Sequence, residues 1–163
     1  MPEKNKVTLT MPSPQELLFT RRFDAPRNLV FQMWTDPTHV VQWWGPVGFT
    51  TQNLEMNVRP NGLWRLIMHG PDGRDYHNKA VFLEVDPPKR LVFKHTGEDP
   101  EHPVTHQMTI TFEEADAGKK TDLSMRMLFK SPEERDRIIK KYAADKGGVQ
   151  TLTRLAEYLS TQT

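Results

Sequence analysis

A chain of 163 residues suits a single domain. Its 22 Lys and Arg against 21 Asp and Glu leave a net charge of +1, without the clustered basic surface that a phosphate backbone needs, so nucleic acid is excluded as the main partner. The absence of Cys excludes disulfides, a thiolate nucleophile, Cys-ligated zinc and iron–sulfur clusters, and apolar runs of only a few residues exclude membrane insertion.

Residues 1–15 are polar, carry Pro2, Pro12 and Pro14, and start without the apolar stretch of a signal peptide. They read as a flexible N-terminal arm with a short strand over Lys6–Met11, ahead of a domain over residues 16–163 in a soluble, cytoplasmic protein. Leu17–Phe23 has strand composition, with Leu17, Phe19 and Phe23 on one face. Asp24-Ala25-Pro26 opens a helix with proline at its first position and Val30, Met33 and Trp34 on one side. Asp36-Pro37 opens a second short helix, which Gly45-Pro46 ends.

From Phe49 to Phe129 the apolar period is two. Thr51–Val58 and Leu63–His69 flank an Asn61-Gly62 hairpin signal, and strands follow over Tyr76–Val85, Arg90–Thr96 and Val104–Phe112. In the last strand Leu123, Met125, Met127 and Phe129 alternate with Asp122, Ser124, Arg126 and Leu128. One face is apolar and the other wet, as in an antiparallel meander. Ser131-Pro132-Glu133-Glu134 has the form of a capping box and starts a helix that runs to about Ser160. Gly147 and Gly148 interrupt it, each at about 1 kcal/mol relative to Ala. Two readings stand: a kink, or a close approach of the helix to the sheet or to a ligand. The order therefore predicts an α+β fold in which a curved antiparallel sheet is covered by a long C-terminal helix. At ~1.5 Å per residue, about thirty residues reach ~45 Å, enough to cross such a sheet. A space between sheet and helix is where a small ligand fits.

The spaced motifs Phe23-Asp24-Ala25-Pro26, Trp34-Thr35-Asp36-Pro37, Trp43-Trp44-Gly45-Pro46, Gly48-Phe49-Thr50, Arg59-Pro60-Asn61-Gly62 and Pro87-Pro88-Lys89-Arg90-Leu91, with Arg154-Leu155-Ala156 in the last helix, resemble those of the activator-of-heat-shock-protein-ATPase-like domains. These belong to the START-like, birch-pollen-allergen-like SRPBCC superfamily, and the resemblance spans about Glu16 to Ser160. It implies a helix-grip fold: a seven-stranded antiparallel sheet wrapped round a long C-terminal helix, with a deep pocket between them. It also implies binding of lipids, hormones, polyketides or other hydrophobic molecules, with cyclase or hydrolase activity in a few relatives. The eukaryotic namesake stimulates a chaperone ATPase and has an additional N-terminal domain without a counterpart in this sequence; fold alone does not carry that activity over. Ala80 stands where many relatives have Gly. Gly148-Val149 stands near their Gly-Trp, so the helix lacks a bulky group there; the pocket is then larger, or neighbours compensate.

Four constellations carry candidate chemistry. Met68, Met108, Met125 and Met127 share the apolar face, where flexible thioethers suit an adaptable pocket wall as well as an ordinary core. His95 and His106 share inward parity and become cross-strand neighbours if Thr96–Pro103 connects adjacent strands; they read as polar pocket contacts, as structural histidines, or as part of a metal site with Glu84. Glu84, grouped with Asp75 and Tyr76, has the parity of Phe82 and so points inward, as an acid–base group, as a structural ion pair with a cation such as Arg65 or Arg90, or as a sheet-end contact. Trp34, Trp43, Trp44, Phe49 and Trp64 read as a small core where the short helices meet the sheet, with Trp43 or Trp44 alternatively at the pocket mouth or a dimer surface. The run Glu133–Arg137 with Lys140 and Lys141 reads as a solvated helix face, while His39, His69, His77 and His102 read as exposed. The expectation is a binding protein without cofactor, metal or defined catalytic centre. Its hydrophobic small molecule is contacted by Trp64, Met68, Tyr76, Phe82, Phe93, His95, His106, Met108, Met125, Met127 and Gly148. The alternatives are an enzyme acting on an apolar substrate, and a protein-interaction module such as a chaperone regulator or a homodimer.

Overall fold

In the computed structural model, residues 5–97 and 105–162 are described; Val104, His102 and the rest of the connection over 98–104 lie outside them. The chain runs β1 (Thr8–Thr10), β2 (Glu16–Phe23), α1 (Arg27–Thr35), α2 (Pro37–Trp43), β3 (Thr50–Met56), β4 (Leu63–His69), β5 (Asp75–Asp86), β6 (Arg90–Gly97), β7 (Thr105–Ala115), β8 (Lys120–Phe129), α3 (Pro132–Tyr142) and α4 (Ala144–Ser160). The strands form one antiparallel sheet in the order β1-β2-β8-β7-β6-β5-β4-β3. It has eight strands rather than seven, because Thr8–Thr10 of the N-terminal arm pairs with Leu18–Thr20. None of the described helices is long and apolar enough to cross a membrane.

Alternation sets the inner face. Leu17, Phe19 and Phe23 are buried on β2, as are Leu123, Met125 and Phe129 on β8. The register places Leu17 opposite Met127 and Phe19 opposite Met125. Two short helices close one end. Asp36 caps α2 as its sequence predicts, its Oδ1 accepting from Thr38 N–H at 2.9 Å with Pro37 at the first position. For α1 the expectation is off by one residue: Pro26 is itself the extended cap, with no side-chain hydrogen bond, and the helix begins at Arg27.

Two further expectations change. The C-terminal helix is two helices, broken not at the glycines but at Ala143, which adopts the left-handed conformation (φ 53°, ψ 45°). Its N–H caps α3 on the Ile139 carbonyl at 2.9 Å. At the start of α3, Ser131 Oγ accepts from Glu134 N–H at 3.1 Å, but the Glu134 carboxylate pairs with Arg137 instead of completing a box. Glu134 is nearly buried, so this charged run is only partly a solvated face. The second change is at Glu84. A bulge between Phe82 and Glu84 shifts the β5–β6 register, so the inward parity passes to Val85, and Glu84 is exposed beside Arg90 (Nε to Oε2, 3.0 Å).

Gly148 is a close approach. A Cβ built there would lie 2.3 Å from Cζ of Phe19, a fully buried ring. The glycine lets α4 lie on β2, and Phe19 fills the space that a larger helix residue would take. At Gly147 the nearest atom to a built Cβ is Pro46 Cγ at 3.6 Å, an ordinary contact. Gly148→Ala is therefore expected to destabilise by about 1–3 kcal/mol through overpacking, and Gly147→Ala to stabilise by up to about 1 kcal/mol through helix propensity. Urea denaturation of the two variants checks the opposite signs.

Candidate functional site

Between the inner face of the sheet, the α3–α4 junction and the loop after α2 lies a cavity of about 460 Å³. Strand β4 supplies Met68, β5 supplies Tyr76 and Asn78, β6 and β7 supply His95 and His106, and β8 supplies Met127. The junction closes it with five consecutive residues, Lys140 to Ala144, and the loop contributes Pro46 and Phe49. A second lobe of about 170 Å³ shares the walls at Met68, His95, His106 and Met127 and continues inward past Met108, Met125 and Gly148. Its polar boundary is small: the histidine pair, Tyr142 and Thr151.

Eight of the eleven residues singled out from the sequence meet here: Met68, Tyr76, His95, His106, Met108, Met125, Met127 and Gly148. The other three do not. Trp64, Phe82 and Phe93 are each about 1–2% exposed and lie farther along β4, β5 and β6. Trp64 stacks on Phe82 with centroids 6.4 Å apart and meets Phe93 edge-on at 5.7 Å. They share the inward face but pack against one another, because parity fixes the face of a strand and not the depth along it. Of the tryptophan group, Trp34 and Trp43 are core, whereas Trp44 reaches the small lobe. Glu84 is remote in orientation and paired, so it does not join the histidines.

Asn78 is a further cavity residue, and the sequence carries a signal for it: it follows Tyr76 and precedes Ala80 and Phe82 at period two, a polar side chain on the buried parity. Lys140, Lys141 and Tyr142 had no such signal, since their position depends on the break at Ala143. Of the remaining histidines, His77 is exposed but touches the cavity rim, while His39 is half-buried with Nδ1 2.7 Å from the Tyr158 hydroxyl. His69 is bonded to Asp75 at 2.6 Å.

The histidines are direct cross-strand partners, as the expected connection requires, with rings nearly parallel and 5.0 Å apart. His95 Nε2 lies 2.8 Å from Asn78 Oδ1, which can accept its proton. His106 packs on Phe129 at 5.3 Å, and its Nδ1 is enclosed without a hydrogen-bond partner although part of the residue remains accessible. Burial, and then the neighbouring His95, hold the His106 pKa well below the ordinary histidine value. The ring is neutral at pH 7, with one donor and one acceptor nitrogen.

Arg154 of α4 fixes the loop that borders the cavity. Its Nη1 donates to the carbonyls of Gly45 at 2.8 Å and Pro46 at 3.1 Å. Gly45 has φ +104°, and a Cβ there would lie 2.9 Å from Met68 Cε. Glycine thus serves both the turn and the close passage over the cavity wall.

An antiparallel sheet wrapped over C-terminal helices, with a cavity between the two layers, defines a helix-grip protein. Residues 24–160 match the family described as Activator of Hsp90 ATPase homolog 1-like protein, and the chain belongs to that family. Three solved structures illustrate the shared fold. Protein Ms6760 from Mycobacterium smegmatis is 23% identical with a TM-score of 0.81, covering 94% of this chain and 96% of its own. A protein from Arthrobacter aurescens is 21% identical with a TM-score of 0.87, over 94% and 91%. The AHSA1 protein from Silicibacter pomeroyi is 22% identical with a TM-score of 0.72, over 91% and 99%. None of the curated proteins compared with this sequence matches it.

Two expected outcomes follow from the site. The unfolded chain takes up a proton on His106 near pH 6.5, and the folded chain does so only at lower pH, so this residue costs stability as pH falls below about 6.5. His106→Phe removes that term. The urea midpoint of the parent should fall more steeply on acidification than that of the variant; parallel curves would show the imidazole to be solvated. Arg154→Met removes charge-assisted bonds worth roughly 1–2 kcal/mol. It should raise amide exchange selectively over residues 45–49, and uniform exchange across the chain would contradict the clamp.

Proposed function

We propose that this protein binds a mostly apolar small molecule in the two-lobed cavity. The observation that carries the reading is the wall itself: four thioethers, Met68, Met108, Met125 and Met127, surround the inner lobe, and its few polar groups converge from the histidine pair and the adjacent helices. Thioether chains adapt to ligand shape without leaving a polar group unsatisfied. A concave apolar site with a few placed polar groups is the general form of a small-molecule site, and a volume of about 460 Å³ falls in the range such sites occupy. The family and the fold are consistent with this role. Catalysis has less support, because Glu84 faces solvent, which leaves the two histidines and the Tyr142 phenol as the titratable groups among the described residues of the inner lobe.

Native mass spectrometry of the purified protein should show a co-purifying ligand, and the neutral dye N-phenyl-1-naphthylamine should bind with enhanced fluorescence. Ala144 borders both lobes. Ala144→Phe fills their junction and is expected to reduce dye binding at least about tenfold, given an unchanged circular dichroism spectrum. Undiminished binding by a folded Ala144→Phe protein would place the dye elsewhere and overturn the reading.

A further inference from the structure

We infer that the molecule bound in this cavity carries an anionic group, and that the α3–α4 junction holds that group at the mouth while an apolar chain lies against the methionines. The inference rests on the binding role proposed above and names the ligand class for the same cavity.

The lining of the large lobe is electrostatically one-sided. Its charged side chains among the described residues are Lys140 and Lys141, joined by the titratable His77, His95 and His106; no described carboxylate borders it. In the chain as a whole acids and bases are nearly equal, 21 against 22, so a cavity with cations and without acids departs from the composition. Both lysines are exposed, and the chain at this point turns from α3 into α4 through the left-handed Ala143. That turn has a second effect. It brings the start of α4 to the same rim as the lysines, with Ala143 and Ala144 both lining the cavity. No side chain caps this 17-residue helix. The first N–H groups of a helix have no partner inside it, and they carry the positive end of the helix dipole. Asp145 lies in the first turn of α4 and partly offsets this field, but it does not line the cavity.

Deeper in, the charge preference ends. The neutral His106 has an enclosed Nδ1 without a hydrogen-bond partner, and beyond it the small lobe is bordered by Met108, Met125 and Gly148. A dication or a compact polar anion would leave this lobe empty. A single alkyl or aryl chain ending in a carboxylate, sulfate or phosphate matches both ends: tail among thioethers, head between ammonium groups and helix N–H donors.

The test is a matched ten-carbon series. Decanoate, decanol and decylamine compete for bound N-phenyl-1-naphthylamine at low ionic strength, each below its micellar concentration. Decanoate is expected to bind about fivefold or more tighter than decanol, and decylamine to bind weakest. In the Lys140→Gln, Lys141→Gln double variant the decanoate-to-decanol ratio should fall towards one, and in the parent it should shrink as salt is added. Equal binding of the three ligands would overturn the anionic preference and leave the binding role standing. If the dye binds and none of the three displaces it, the chain-like ligand class is wrong. If neither dye nor ligand binds, both proposals fall. Capture by vesicles of phosphatidylglycerol, without binding of monomeric decanoate, would also overturn the inference, since the lysines would then act on a lipid surface.

Discussion

The fold turns on the contact between Gly148 and Phe19. Because a helix residue without a side chain sits over a fully buried ring, α4 lies directly on β2 at one side of the sheet. α3 rests against β8, next in the sheet order, α1 contacts the neighbouring β7 and β8, and α2 contacts the far edge strand β3. None of the described helices packs closely on β4, β5 or β6, and at one end of these strands Met68, Tyr76, Asn78 and His95 line the cavity together with His106, Met108, Met125 and Met127 of β7 and β8. A side chain at Gly148 would lift the helix off β2 or displace the ring, and either change would alter the distance between the two layers everywhere else. The cavity is thus the counterpart of tight packing next to it.

The wall material follows the same division. Where the sheet meets helix or aromatic neighbours, its inward residues are rigid: Leu17, Phe19, Phe82, Phe93, Ile110 and Phe112. Where it meets the inner lobe, the inward residues are thioethers and imidazoles. Register puts these in rows. Met127 faces Met108 and Ile110 faces Met125, while His95 faces His106. A cross-strand row of flexible side chains can close on an empty space or open for a guest with little change in backbone.

Much of this was legible in the sequence, and the failures share a cause. Strict alternation located β4 to the residue and set the inward faces of β2, β7 and β8. The histidine pairing followed from one short connection between strands of known parity. What alternation does not carry is any event that resets the count. The bulge after Phe82 adds one residue, and Glu84 goes from inward to outward. The break at Ala143 has no glycine, asparagine or proline to announce it, while the glycines four and five residues later, which do carry a breaker signal, continue the helix. Depth is likewise absent from a period-two pattern: Trp64 and Met68 share a face on one strand, yet one is packed core and the other cavity wall. Lys140 and Lys141 looked like solvent-facing charge because their relation to the cavity depends on that unannounced break.

The aromatic cluster has an optical consequence. All four tryptophans are in contact as one chain: Trp34 to Trp43 at 4.8 Å, Trp43 to Trp44 at 5.6 Å, and Trp44 to Trp64 at 5.1 Å. At such separations excitation passes readily from ring to ring, so the four behave as a shared antenna instead of independent emitters. Trp44 is the member that borders the inner lobe. Whatever quenches or shifts that indole draws on light absorbed by all of them, so the emission of the whole protein is sensitive to the surroundings of one ring at the edge of the inner lobe.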